Sequence, residues 1–187
     1  LPSIEKEINK SKYSMLLEHF CANGGDKKLP TVMSADRVDG MLIAGGLISD
    51  QLLAEIEAVE IPTVLIGSRS DILDYVDSDT TKGVYLGTRH LIENGHREIA
   101  FIYSSIYSQT SERKLKGFEM ALKEAGLALN QDWVRHAAYS GKAGYEAMLD
   151  LWKEGVRPTA ILAGHESIAI GALHFLYDQG LRCPDDV

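Results

Sequence analysis

Only two cysteines, Cys21 and Cys183, occur in 187 residues. They are too few and too far apart to read as a disulfide framework or a zinc site, and such sparing use fits a reducing compartment. Basic residues are also in short supply: 19 Lys and Arg stand against 27 Asp and Glu, a formal net charge of -8. Binding to a phosphate backbone needs a basic patch that releases counterions, so this chain by itself is not expected to contact nucleic acid. No apolar run approaches the roughly 20 residues a membrane helix needs, so no membrane partner is expected. Leu1 to Lys10 read as part of an amphipathic helix without the basic start and apolar stretch of a secretory signal, and the expected cytoplasmic location rests on the sparing use of cysteine.

The motifs of catalysis are missing as well. No G-x-G-x-x-G follows a strand, and no phosphate-cradling loop carries Gly-Lys-Ser/Thr. His165-Glu166 lacks the second histidine four residues after the first that a zinc protease uses. Ser167 is not flanked two residues away by glycines, since those positions hold His165 and Ala169, so it is no nucleophile elbow. No enzymatic activity, cofactor or metal is expected.

What the chain does have is alternation. A length of 187 residues suits one domain or two lobes sharing a chain. Short β-branched runs alternate with helical patterns, the signature of βαβ units around a parallel sheet. Strands are predicted at Tyr13–His19, Val38–Ala44, Ile61–Gly67, Glu98–Tyr103, Trp133–Ala138 and Thr159–Ala163. Several lack polar alternation, as in Val38-Asp39-Gly40-Met41-Leu42-Ile43 and Thr63-Val64-Leu65-Ile66, which suits strands covered on both faces. Gly95, Gly126, Gly155 and Gly180 each follow a periodic segment and can take the left-handed conformation that ends a helix. In the helix starting near Ser111, Leu115, Phe118, Leu122 and Ala125 form one stripe. Tyr145, Leu149 and Trp152 form another. Ile168, Ala172, Phe175 and Gln179 form a weaker one that Ala169, Leu173 and Leu176 widen. Ser68–Ser78 is polar, without helical period, and reads as a crossing between lobes.

In an open parallel sheet, ligands bind outside the carboxyl ends of the strands. That rule selects Ala44-Gly45-Gly46, Gly67-Ser68-Arg69, Ser104–Lys114, Tyr139-Ser140 and Gly164-His165-Glu166, a polar set with one aromatic that suits a polar ligand stacked on a ring. His96 opens a strand directly after Gly95 and reads as a turn residue held by backbone hydrogen bonds rather than a chemical group.

The stretch from His90 to Ile102, His-Leu-Ile-Glu-Asn-Gly-His-Arg-Glu-Ile-Ala-Phe-Ile, resembles the helix-turn-strand signature of the effector-binding domain of the LacI/GalR family of bacterial transcription regulators. Val38-Asp39-Gly40-Met41-Leu42-Ile43, Gly117-Phe118 with Ala121-Leu122, and Pro158-Thr159-Ala160-Ile161-Leu162 with Ala169, Gly171 and Leu181–Asp186 are similar to three further family stretches. Together they span nearly the whole chain. The resemblance implies an α/β, two-lobed, periplasmic-binding-protein-like fold, each lobe a parallel sheet flanked by helices, with lobes at 1–78 and 79–187, both incomplete. It also implies that the family's DNA-binding headpiece, the first strand of the sensing domain and the last crossings between lobes lie outside this chain.

The same resemblance implies site residues. A basic side chain three residues before the Gly-Phe glycine usually grips the ligand; that slot is Lys114, with Arg113 beside it. Lysine offers a point charge where arginine offers a planar fork, and two solvated charges at a helix start remain the alternative. Glu166 stands where the family has the Asp of an Asn-Asp pair, with His165 replacing the Asn; the alternative is a charge complementing the helix dipole. Tyr139 matches a ligand-stacking aromatic or is a packed strand end. Asp79, four residues before Gly83, resembles the interlobe Asp, whose role is ligand contact or hinge. Gly45, selected by its place just after the strand Val38–Ala44, is a further candidate from the first lobe, and Gly67 stands where relatives often have an Asp. The implied function is the effector-binding and dimerisation domain of a cytoplasmic repressor that senses a small polar metabolite of the sugar class. Its implied partners are a second copy of itself and DNA bound through the headpiece. A sugar receptor for a transporter is the alternative.

Overall fold

The computed structural model describes residues 2–19, 37–44, 50–104 and 109–187. The chain divides into two compact units, Leu1–Asp77 and Ser78–Val187. Both are α/β, built on parallel three-stranded sheets. Among the described residues no helix is long and apolar enough to cross a membrane.

The first unit opens with α1 (Pro2–Ile8), which buries none of its residues. Tyr13–His19, predicted as a strand, has no regular structure. Tyr13, Leu16 and Leu17 are all more than half exposed. An apolar run becomes a strand only where a neighbour takes its ladder hydrogen bonds, and among the described residues none does. The sheet order is β1 (Met41–Ala44), β2 (Thr63–Ile66), β3 (Asp74–Val76). Met41 lies opposite Thr63, and Val64 opposite Asp74. Leu52 and Ile56 of α2 (Asp50–Glu57) close a small core with Ile43 and Leu65.

Strand β3 lies inside the stretch 68–78 that sequence alone assigned to an irregular crossing. All three of its residues are exposed, so no buried face marks it. Backbone pairing to β2 carries it, extended by the amide of Gly67 donating to the carbonyl of Val76 at 2.9 Å. Arg69 and Asp77 form an ion pair across the same stretch at 2.8 Å.

The second unit centres on β4 (Ile99–Tyr103), flanked by β5 (Val134–His136) and β6 (Ala160–Ala163) in the order β5-β4-β6. All five residues of β4 are buried. Side chains alternate between sheet faces, and each face here has its own core. Ile99, Phe101 and Tyr103 meet Ile92 of α3 (Thr80–Glu93) and Phe118 and Leu122 of α4 (Gln109–Glu124). Ala100 and Ile102 meet Met148 and Leu151 of α5 (Gly141–Lys153) and Ile168, Ala172 and Phe175 of α6 (Glu166–Asp178). Burial on both faces explains the uninterrupted apolar run.

Both helix pairs pack closely because of glycines. A Cβ on Gly117 of α4 would collide with the carbonyl of Thr81 in α3, and one on Gly171 of α6 with the carbonyl of Gly141 in α5. The helix-ending glycines 95, 126, 155 and 180 all have positive φ. On α6 the inward stripe is Ile168, Ala172, Phe175 and Leu176, whereas Leu173 is 47% exposed and does not widen it. The ring of His96 bonds the hydroxyl of Thr159 at 3.1 Å, so this histidine ties the starts of β4 and β6 together through a side chain, while its amide bonds the carbonyl of Leu91.

Candidate ligand-binding site

The carboxyl ends of β4, β5 and β6 lie on one edge of the second sheet because the strands are parallel. Helices α5 and α6 begin directly after β5 and β6, so their positive dipole ends lie at that edge. Each start is capped by a side chain. Ser140 Oγ accepts from the amide of Ala143 at 3.2 Å. His165 Nδ1 accepts from the amide of Ser167 at 3.1 Å. Glu166, the first residue of α6, is exposed and suitably charged for the helix start.

Lys114 reaches this edge from α4. Its half-buried ammonium donates to the carbonyl of Gly164 at 2.7 Å and lies 5.7 Å from the centre of the Tyr139 ring. Tyr139 in turn leans on His165, with ring centres 4.7 Å apart and planes tilted by 56°. Burial pushes the Lys114 ammonium below its ordinary range, because a desolvated cation loses hydration. The glycine at 164 is required by crowding: a Cβ there would lie 2.7 Å from that of Tyr103. The Tyr103 hydroxyl is pushed upward by burial, with the Glu119 carboxylate adding to it, and its ring meets His136 edge-on at 4.9 Å.

The structure therefore brings Lys114, Tyr139 and His165 together, with Glu166 next to His165 in the chain. The side chain of Arg113 bonds Thr110 Oγ1 within its own helix at 3.1 Å. The carboxylate of Asp79 caps α3 by accepting from the amide of Lys82 at 3.0 Å. Gly45 lies outside the described residues. The Gly164 carbonyl that holds Lys114 was not singled out from sequence as a functional group, although a glycine directly after a strand marks a place where another side chain can approach the backbone. Among the described residues no group of three or more His, Cys, Asp or Glu side chains could hold a metal ion.

The model of a family described as periplasmic binding proteins and sugar binding domain of LacI family matches residues 11–187. The chain belongs to this family. The two-unit α/β architecture is the family's periplasmic-binding-protein-like fold. Among similar proteins, the HTH-type transcriptional repressor PurR of Klebsiella pneumoniae is 31% identical over 193 residues, covering all of this chain and 56% of the relative. A sugar-binding transcriptional regulator of the LacI family from Escherichia coli, solved with phosphate, superposes with a TM-score of 0.75 at 28% identity over 83% of this chain and 57% of its own. A LacI family regulator from Mycobacterium smegmatis gives 0.71 at 34% identity, covering 83% and 58%. The chain thus spans about half the length of the curated relatives it matches.

Proposed function

We propose that this chain is the effector-binding and dimerisation domain of a DNA-binding transcriptional repressor, acting in the cytoplasm without catalysing a reaction. Its effector is a small hydroxylated metabolite of the sugar class. The observation that carries this reading is the cluster of Lys114, Tyr139 and His165 at the carboxyl edge of the second sheet, in a chain whose family is defined by ligand binding. The repressor role rests on relatives such as the Klebsiella protein, and the sugar class on the description of the Escherichia coli structure. Regulators among the relatives favour this reading over a receptor for a transporter.

The units divided at Asp77 and Ser78 correspond in this reading to the two lobes, and DNA is bound by a segment outside this chain. Tyr139 supplies a face for stacking, Lys114 a cation, and Glu166 an acceptor for hydroxyls, with Arg113, Asp79 and Gly45 as further contacts. Homodimerisation is supported by α6, where Ile170, Leu173 and Tyr177 are 52%, 47% and 82% exposed. Their spacing makes one apolar stripe that self-association would cover.

The test is a thermal-shift screen over sugars, sugar phosphates, nucleosides, purines and amino acids, since a ligand that binds the native state raises its melting temperature. Stabilisation only by purines or amino acids would overturn the sugar class. Glu166→Ala should then weaken binding by about 10- to 100-fold in calorimetric titration, the loss of a charged hydrogen bond of roughly 1.5–3 kcal/mol. Unchanged affinity with a lowered melting point would instead make Glu166 a helix-dipole residue.

A further inference from the structure

The cluster that carries the proposed function has a chemical bias that bears on its ligand. Lys114 has two partners among the described residues, a neutral carbonyl and an aromatic face. One of its three N–H groups goes to Gly164, and among the described residues no carboxylate is paired with it. The neighbouring groups are donors too. Because His165 Nδ1 accepts from the amide of Ser167, that nitrogen carries no proton, and the neutral ring holds its N–H at Nε2. Ser140 Oγ accepts from the amide of Ala143 and keeps its hydroxyl hydrogen to donate. The positive ends of the α5 and α6 dipoles add to this excess. Glu166 is a charged acceptor at this edge, and it is exposed while Lys114 is half-buried.

Resting on the reading of this edge as an effector site, we infer that the effector carries an oxyanion, a carboxylate or a phosphate, which docks on Lys114 while hydroxyls elsewhere on the molecule face Glu166. A sugar acid or a sugar phosphate has both. A half-buried ammonium whose partners among the described residues are neutral gains most from a charged acceptor, since charge-assisted hydrogen bonds are about twice as strong as neutral ones. Lys114 is thus a specificity-determining residue rather than a latch between α4 and the β6–α6 turn.

The test compares matched neutral and anionic probes on the whole protein by calorimetric titration: glucose with glucuronate and glucose 6-phosphate, galactose with galacturonate, ribose with ribose 5-phosphate, and inorganic phosphate alone. The expected result is at least about tenfold tighter binding of the anionic partner within a pair, a preference that shrinks as salt is raised. The carboxylate and phosphate arms separate the two sources of charge, and inorganic phosphate alone shows whether the sugar ring contributes. In Lys114→Gln the anionic partner should lose at least about tenfold in affinity and fall to the level of the neutral one, and Lys114→Arg should restore the preference. Equal binding of neutral and anionic partners would overturn the oxyanion inference and leave the effector site standing. No saturable binding by any probe would overturn both. A preference that survives in Lys114→Gln, with only the melting point lowered, would make Lys114 a latch. Should Lys114→Gln fail to fold, Lys114→Met, which keeps the length of the side chain without its charge, takes its place, and a preference that survives in it overturns the role of Lys114.

Discussion

The two units share a plan but differ in how thoroughly their sheets are covered. In the second, α3 and α4 close one face of the sheet and α5 and α6 the other, and β4 is buried along its whole length. In the first, α2 covers one face among the described residues. Leu42 in β1 is 52% exposed, and Tyr75 and Val76 in β3 are 46% and 65% exposed. A parallel sheet is stable when both faces are covered, so the second unit carries most of its own stability and supplies a rigid edge for the candidate site. The proposed ligand contacts of the second unit stand on caps and glycine-packed helices, as a precise site requires.

The sharpest way to break this comparison is to empty each core in turn. Phe101→Ala removes a fully buried ring stacked on Tyr103 and Phe118, and should cost about 3–5 kcal/mol. Leu65→Ala in the smaller core should cost nearer the lower end of roughly 2–5 kcal/mol, because a core open on one side relaxes into the space left. Both tryptophans, Trp133 and Trp152, lie in the second unit, so their fluorescence reports its unfolding alone. Phe101→Ala should shift the tryptophan transition in urea. Leu65→Ala should leave it in place and show its loss in far-ultraviolet circular dichroism; equal shifts in both probes would mean that the units unfold as one block.

A smaller effect is expected from Gly171→Val, which forces side-chain atoms into the carbonyl of Gly141 and so separates α5 from α6. Overpacking of this kind should cost about 1–3 kcal/mol, read as a lower denaturation midpoint with an unchanged slope. The mildest is Ser140→Ala, which removes the cap of α5 and should cost about 1 kcal/mol. Hydrogen exchange should show that loss at the amide of Ala143 and in the first turn of α5. Protection unchanged there would mean that water replaces the cap at no cost.

Much of the second unit was legible in the chain because its signals are local. The strand predicted at Glu98–Tyr103 contains β4, and the glycines that stop the helices do so through their own backbone conformation, whereas the cover on both faces expected of 38–43 fails at Leu42, which is 52% exposed. The first unit was read less well. Tyr13–His19 has a strand's composition but no ladder partner among the described residues, and β3 has a ladder partner but no buried face. Leu173 shows the same limit on a helix: its position on α6 fits either edge of the apolar stripe, and packing put it outside.

The candidate site divides along the same line. That residues 139–140 and 164–166 follow strands, and hence stand at the ligand-bearing edge, is determined by the βαβ order alone, since parallel strands must place their carboxyl ends together. Serine is a preferred cap, so the role of Ser140 is of a kind that short-range sequence carries, whereas the cap that the His165 ring supplies to the amide of Ser167 was not read from the chain. That Lys114 crosses to a carbonyl fifty residues away, lies over Tyr139 and is paired with no carboxylate among the described residues was decided only by the tertiary structure. Such contacts depend on how α4 and β6 are packed against β4, and a charge finds its partner, or its lack of one, only when long-range packing has fixed which groups share a space from which water is partly excluded.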